Sequence, residues 1–165
     1  MNDQVKGGFD PSVLLGATMT EANTRRPPIP SGTVLLGTFG KPDMTQSEGK
    51  QEKNLGVVYT WLEIPVTMDL TQNPAILAAV FGPDAKEGSV TLTWKTSIDL
   101  NSQGGFDMGV GKNNGLRQLR TALDMNNPGQ TFNLVMIEGR QIRAIIGART
   151  YNNDVYDQIN SLAKV

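Results

Sequence analysis

The chain has 165 residues, with 15 Lys+Arg against 16 Asp+Glu, and it contains neither histidine nor cysteine. This composition excludes a Ser-His-Asp or Cys-His nucleophile, a Cys/His zinc site and a disulfide framework. An enzyme built from it would have to use carboxylates, Lys, Tyr, Ser/Thr or a hard cation such as Mg²⁺. We therefore expect a non-enzymatic protein with no cofactor, no catalytic residue and no metal site.

The length fits a single domain with a substantial core. No run of 18 apolar residues occurs, and the first residues do not have the pattern of a signal peptide, so we expect neither a membrane partner nor secretion. The absence of cysteine agrees with a reducing compartment. These features predict a cytosolic protein.

The charges are unevenly distributed along the chain. Residues 61–110 hold 2 basic and 6 acidic residues, whereas residues 111–165 hold 7 basic and 4 acidic ones. Five of these seven cations are Arg, which suits bidentate phosphate contacts and stacking on bases. The near-zero net charge therefore does not argue against a polyanionic partner, although scattered surface charge remains an alternative interpretation.

The N-terminal segment, residues 1–32, is predicted to be a flexible arm. Asp10 and Pro11 can begin a short helical turn. Prolines at positions 27, 28 and 30 prevent both a helix and a central strand. The domain is expected to begin at residue 33.

Two strands are predicted next, at 33–39 and at 56–64, and the polar stretch 41–54 between them is predicted to be a long exposed hairpin loop. In the second strand, Tyr59 and Trp61 alternate with Leu62 and Ile64 and so lie on the other face. Two aromatic residues on that face predict either a platform for stacking bases or a second packed layer, such as the arm lying across the sheet.

An extra short helix is predicted at 73–82, because Asn73 can cap it, Pro74 stands at its first position and Gly82 follows it. It is apolar on nearly all sides, which indicates either a buried helix or a subunit contact. A third strand is predicted at 89–98, with Trp94 among aliphatic residues and therefore in the core.

A Gly-rich loop precedes the next helix. The segment 109–115 resembles a phosphate-binding loop, but Phe106 and Asn113 stand where the Walker pattern requires Gly and Ser/Thr, so we reject that interpretation. A helix is predicted from Gly115 to about Met125, followed by a strand at 131–137.

The last part of the chain predicts a hairpin. A strand over 140–150 places Arg143, Arg149 and Tyr151 on one outer face. A turn at 152–154, a strand at 155–159 and a short tail at 161–165 follow. Cations and a ring at period two on an exposed face are typical of a groove that binds single-stranded nucleic acid.

The order of elements predicts a mainly β fold. Three strands, a helix and a closing hairpin correspond to a five-stranded Greek-key OB-fold barrel over residues 33–160, with a helix between strands 3 and 4. The helix at 73–82 and the N-terminal arm are additions to that plan.

The chain resembles phage-encoded single-stranded DNA-binding proteins with an OB-fold. The resemblance spans roughly residues 29–160, and its motifs are short and degenerate. They are Ile-Pro-Ser-Gly-Thr at 29–33, Leu-Glu-Ile at 62–64, Asn-Gly-Leu-Arg-Gln-Leu at 114–119, Ile-Glu-Gly-Arg-Gln-Ile-Arg-Ala at 137–144 and Tyr-Asn-Asn-Asp-Val-Tyr at 151–156. Many proteins of this type end in an acidic tail, whereas residues 162–165 are not acidic.

The resemblance implies sequence-independent binding of single-stranded DNA during phage replication or recombination, in the cytoplasm of the infected bacterial host. It leaves open contacts with other replication or recombination proteins and a homo-oligomer. The binding residues implied are Lys50, Lys53, Tyr59, Trp61, Arg140, Arg143, Arg149 and Tyr151.

The residues also allow two other functions to be considered. A structural or assembly protein of a virion would use Tyr59, Trp61 and the apolar helix as subunit contacts. A carboxylate-based Mg²⁺ nuclease is disfavoured, because the nearby acids Asp154 and Asp157 fall in a predicted hairpin turn rather than in a recognisable D-x-D site.

Overall fold

The computed structural model describes residues 11–20 and 25–165. The strands are β1 (Val34–Phe39), β2 (Asp43–Glu48), β3 (Val58–Asp69), β4 (Ser89–Ile98), β5 (Gln141–Tyr151) and β6 (Asp154–Ala163). The α-helices in the described residues are α1 (Pro11–Leu15), α2 (Pro74–Phe81) and α3 (Asn114–Ala122). The prediction of a mainly β fold is confirmed.

The six strands form one antiparallel sheet. Neighbouring strands follow the order β2, β3, β1, β5 and β6, while β4 pairs with the other edge of β3. Within residues 25–165, β4 and β6 approach each other without pairing, so the sheet is not closed. The sheet therefore differs from the predicted five-stranded barrel both in strand number and in closure.

Strand β2 is a correction to the predicted exposed loop at 41–54. Its residues pair in register with β3, from Asp43 opposite Glu63 to Glu48 opposite Val58. Five of its six side chains are exposed, because it lies at an edge of the sheet. Backbone hydrogen bonds to β3, rather than burial of apolar side chains, hold this strand. Its sequence therefore lacks the alternation of apolar residues from which a strand is predicted.

Strands β1 and β2 occupy one edge of β3 in succession. Phe39 is the last residue of β1 and pairs with Val66, and the pairing of β2 begins three residues further along β3. Pro65 lies in the gap between the two pairings, where its carbonyl accepts a 2.7 Å hydrogen bond from the Gly40 N–H. Proline has no N–H to donate. Because Pro65 lies between the residues that pair with β1 and those that pair with β2, the sheet needs no backbone hydrogen bond from it on this edge of β3.

One face of the sheet forms the core. From Leu62 onward, every second residue of β3 is fully buried: Leu62, Ile64, Val66 and Met68. Burial of an aliphatic side chain contributes roughly 1.5–3 kcal/mol, so this row anchors the sheet. Trp94 on β4 is also buried, as its alternation with aliphatic residues predicted.

The helices cover the core with their apolar residues. Leu77 and Val80 of α2 and Leu116 and Leu119 of α3 are buried in the chain's own core. Helix α3 contacts β4 and β6. Both helices were predicted, although α3 ends at Ala122, before the predicted end near residue 125. The chain's own core therefore buries Leu77 and Val80 of α2, without a contact from a second subunit.

The predicted strand at 131–137 is wrong. A short 3-10 helix occupies Leu134–Ile137, and the Asn133 side chain accepts a 3.2 Å hydrogen bond from the Met136 N–H at its start. Val135 is exposed while Ile137 is buried. A local Asn cap thus overrides the β propensity of this apolar run.

The closing hairpin was predicted, and its second strand is longer than predicted. Asn152 and Asn153 form a two-residue turn with φ of 49° and 65°, a left-handed geometry that Asn adopts more readily than most residues. Strand β6 reaches Ala163 and so includes part of the predicted tail, with Leu162 buried.

The end of the predicted N-terminal arm packs against the sheet. Ile29 is 2% exposed, and the Gly32 N–H donates to the Ile146 carbonyl at 2.8 Å. The predicted turn near residue 10 corresponds to α1. The other parts of the predicted arm, residues 1–10 and 21–24, lie outside the described residues.

Candidate nucleic-acid interface

Tyr59 and Trp61 lie side by side on the outer face of β3. Their ring centres are 6.1 Å apart and their planes are tilted by 30°. The Trp61 Nε1–H donates to Ser47 Oγ at 2.8 Å, and the Asn54 amide donates to the Tyr59 hydroxyl at 3.4 Å. Both rings are half-buried, so part of each ring surface is accessible. The hydrogen bonds at their polar atoms fix the orientation of the rings.

Lys95 extends this pair across the sheet. Its Nζ lies 4.8 Å from the Trp61 ring centre, a cation–π distance. It also forms an ion pair with Glu63, its cross-strand partner. The carboxylate offsets the positive charge of Lys95 and fixes it beside the ring.

The aromatic pair lines a groove of about 480 Å³. Leu100 and Lys112, from the loop that follows β4, form another part of its wall. Lys112 belongs to the rejected phosphate-loop motif and was not selected as a site residue. The tertiary structure thus adds a cation to the groove of Tyr59 and Trp61 that the spacing of the sequence did not indicate.

Asn113 fixes the loop that carries Lys112. It is buried, with a left-handed φ of 49°. Its side-chain carbonyl accepts from the Asp99 N–H at 2.8 Å, while its amide group donates to the carbonyls of Asp99 and Asp107 at 2.9 and 2.8 Å. Its own N–H donates to the Asp99 carboxylate at 2.8 Å. All polar atoms of the Asn113 side chain are satisfied, so this loop is rigidly tied to the end of β4.

A second groove, of about 540 Å³, lies where β4 and β6 approach without pairing. Lys95 and Glu63 line one side of this groove, and Arg149 and Asn160 line the other. Lys95 therefore stands between the Tyr59–Trp61 pair and the β5–β6 hairpin. Two cations, Lys95 and Arg149, and two acids, Glu63 and Asp157, line this groove, and the acids form ion pairs with Lys95 and Arg26 respectively.

Tyr156 is a ring that the sequence analysis missed. The Arg149 guanidinium carbon lies 5.7 Å from its centre, and that of Arg25 lies 4.0 Å from the same centre. Arg25 also donates to the Val155 carbonyl at 2.8 Å. The two-residue turn could have indicated this pairing, because it sets Tyr151 opposite Asp154 and hence Arg149 opposite Tyr156.

Asp157 ties the N-terminal segment to the hairpin. Its carboxylate accepts hydrogen bonds from Arg26 Nη1 at 2.8 Å and from the Ile29 N–H at 2.9 Å. Burial acts to raise the pKa of Asp157, but the hydrogen bonds from Arg26 and Ile29 and the charge of Arg26 outweigh it, so its pKa lies below the ordinary value. Residues 25–29 therefore contact β6.

The structure separates the predicted cations into two groups. Arg149 lies on the second groove, and Tyr151 is 62% exposed at the tip of the same hairpin. Lys50 and Lys53 are exposed in the loop between β2 and β3, whose Asn54 contacts Tyr59. The β2–β3 loop therefore contacts the aromatic pair through Asn54, and Arg149 shares the second groove with Lys95.

Arg140 and Arg143 lie elsewhere. Arg140 is exposed before β5 and donates through Nε to the Met136 carbonyl at 3.2 Å. Arg143 pairs with Leu36 of β1. It is six residues from Arg149 along β5, which at about 3.3 Å per residue separates them by about 20 Å. Arg143 shares a face with Arg149 but not its position along the strand.

The described residues hold neither a cluster of metal ligands nor a membrane-spanning helix. Residues 11–20 and 25–165 contain no group of three or more acidic, His or Cys side chains suited to a metal ion. In the same part of the chain, no helix is long and apolar enough to cross a membrane.

Comparison with known proteins does not assign the chain to a family. No protein-family model matches the sequence, and no curated protein matches it significantly.

Proposed function

We propose that this chain binds single-stranded DNA without sequence selectivity, through the outer face of β3 and β4 and the end of the β5–β6 hairpin. The observation that carries the proposal is the Tyr59–Trp61 pair with Lys112 in one groove and Lys95 beside it. Every base has a face that can stack on an aromatic ring, and phosphates follow cations, so this combination suits any sequence.

The Arg149–Tyr156 pair supports a second contact region of the same kind. The groove that Lys95 and Arg149 both line connects it with the first region. Stacking is worth about 1–3 kcal/mol per base, so two or three rings with several cations supply useful affinity despite the formal net charge of −1.

The proposal also assigns the six-stranded sheet to the OB-fold. Strands β1 and β2 follow each other along one edge of β3, as a single bent first strand of an OB-type barrel would. Helix α3 stands between β4 and β5, and β5 pairs with both β1 and β6. These pairings support an OB-fold that is opened between β4 and β6, at the second groove.

The biological setting is part of the same proposal. The short motifs shared with phage single-stranded DNA-binding proteins support a non-enzymatic role in phage replication or recombination, within the cytoplasm of the bacterial host. Other proteins of those processes are the expected partners, beside the DNA itself.

The two tryptophans allow a direct test, because Trp61 lies on the proposed interface and Trp94 is buried in the core. Oligo-dT of about 16 nucleotides should quench the fluorescence of the wild type and of Trp94→Phe. The Trp61→Phe variant keeps a stacking ring, and it should bind with similar affinity in an anisotropy assay but lose most of the quenching.

Salt provides the second readout. Binding should weaken steeply as salt is raised, with a slope of log K against log salt of about −0.7 per phosphate contact. Absence of both a mobility shift and quenching at low salt would refute the proposed function. Equal quenching in wild type and in Trp61→Phe would place the DNA elsewhere on the molecule.

A further inference from the structure

Two further depressions continue from the Tyr59–Trp61 groove over the surface of α3. The groove meets a depression of about 210 Å³ at Lys112, which lines both. This depression meets a third one, of about 280 Å³, at Met108, Leu116 and Arg120, which line both. The three depressions are therefore neighbours in a row from the Tyr59–Trp61 groove to α3, and this row is called the path below.

The middle part of this path is cationic. Lys112, Arg117 and Arg120 line it, together with one acid, Asp107. The Asp107 carboxylate already accepts a 2.9 Å hydrogen bond from the Gly109 N–H. Arg117 is exposed, and neither it nor Lys112 bonds to another described side chain. Three positive charges against one occupied carboxylate suit the phosphates of a nucleic acid.

The far end of the path repeats the chemistry of its beginning. Phe106, which is 38% exposed, and the half-buried Phe132 both line the third depression. The Arg120 guanidinium carbon lies 5.3 Å from the Phe132 ring centre. Arg120 Nε donates to the Met125 carbonyl at 3.1 Å, and its terminal nitrogens have no partner among residues 11–20 and 25–165. A ring with a neighbouring free donor pair suits one more base and its phosphate.

We propose that bound single-stranded DNA continues from the Tyr59–Trp61 groove past Lys112 onto α3, where Arg117 and Arg120 contact phosphates and a base enters the depression between Phe106 and Phe132. This inference rests on the proposed function. It extends the interface to a helix and a loop from which no binding residue was predicted.

The test compares oligo-dT of two lengths, about 4 and about 16 nucleotides, which span the usual site sizes for one such fold. The double variant Arg117→Gln/Arg120→Gln removes both guanidinium groups. Phe106→Leu removes an accessible ring and keeps an apolar side chain. The control Lys41→Gln/Lys86→Gln removes two exposed cations that line none of the three depressions. Binding is measured by fluorescence anisotropy of labelled DNA, and folding by thermal melts.

We expect the double variant to bind the long oligonucleotide at least about tenfold more weakly and to lower the magnitude of its salt slope by about 1.4, the value for two phosphate contacts. Phe106→Leu should weaken the long oligonucleotide by about fivefold or more. The short oligonucleotide should change by less than about twofold in both, and the control should resemble the wild type with both lengths.

The outcomes separate the two proposals. If the wild type binds both lengths and the variants bind the long one equally well, the path over α3 is wrong and the proposed function stands. If the variants weaken both lengths equally, the extension is also wrong, because the short strand does not reach it. If the wild type binds neither length, the proposed function itself is refuted.

Discussion

The Arg149 guanidinium stands 5.7 Å from the centre of the Tyr156 ring, its cross-strand neighbour on β6. This pair joins a cation and a ring at the end of the hairpin, across the open groove from Lys95. Under the proposed function, this ring is a second stacking position, distant in sequence from Tyr59 and Trp61.

Replacing Tyr156 by Leu should weaken binding of oligo-dT by about 5- to 150-fold, because a base stack worth about 1–3 kcal/mol is lost. Tyr156→Phe keeps the ring and should remain within about threefold of the wild type. Anisotropy titrations of both variants measure the effect. Wild-type affinity in Tyr156→Leu would exclude Tyr156 from the interface.

Arg149 and Arg143 should differ, although both were predicted as binding residues. Arg149→Gln removes a cation from the groove and should lower the magnitude of the salt slope by about 0.7. Arg143→Gln, about 20 Å further along β5, should leave the slope and the affinity nearly unchanged. Titrations at four salt concentrations compare them, and equal losses in the two variants would contradict the position assigned to the interface.

The Arg26–Asp157 ion pair should make stability depend on pH. The pKa of Asp157 is lowered in the folded state, so its contribution to stability is present above the unfolded-state pKa of about 3.9 and is lost as pH falls through the lowered value. At pH 7, Asp157→Asn should cost about 1–3 kcal/mol of unfolding free energy.

Urea denaturation at pH 7 and at pH 2.5 checks this dependence. The difference between wild type and Asp157→Asn should shrink at the lower pH, because below about pH 3.9 the unfolded chain binds the proton more readily than the folded one, whose Asp157 pKa is lowered. Asp154→Asn is the matched control, because Asp154 is an exposed acid at the start of the same strand. A difference that stays constant with pH would show that the carboxylate charge contributes nothing.

Asn113 should be sensitive even to an isosteric change. Asn113→Asp replaces the amide group that donates to the Asp99 and Asp107 carbonyls and sets a second carboxylate beside Asp99. We expect a loss of about 1–3 kcal/mol at pH 7, and a smaller loss at pH 4, where the introduced acid is partly protonated. Asn114→Asp, an exposed neighbour, is the control.

Thermal melts and oligo-dT titrations of these two variants also test whether the Asn113 loop supports DNA binding in the Tyr59–Trp61 groove. Because Asn113 fixes the loop that carries Lys112, Asn113→Asp should weaken DNA binding as well as stability. Unchanged melting in Asn113→Asp would contradict the structural role of this hydrogen-bond network.

Much of the secondary structure was predictable from the residues, because a sheet with one buried face imposes a period of two. Strands β1, β3, β4 and β5 show that alternation, and Asn73, Pro74 and Gly82 mark the ends of α2. Apolar periodicity does not predict the structure where burial does not decide it. Asp43–Glu48 is a strand held by backbone pairing at a sheet edge, and Leu134–Ile137 is an apolar run held by a local cap.

The candidate site was predictable only in part. The alternation of side chains along a strand predicted that Tyr59 shares a face with Trp61, and Arg149 with Tyr151. It could not distinguish Arg143 from Arg149, since a shared face does not fix position along the strand. It also could not find Lys112, which lines the same groove as the rings and belongs to a loop fixed by Asn113.

The sequence by itself determined the chemical inventory: no His or Cys, an Arg-rich last third, and rings and cations on the outer sides of strands. Only the tertiary structure decided which of these groups meet. Strand neighbours and register depend on backbone pairing between distant segments, which set Arg149 against Tyr156, brought Lys95 to Trp61 and left the sheet open beside them. Local periodicity fixes the side of a sheet on which a residue lies, whereas long-range pairing fixes its neighbours.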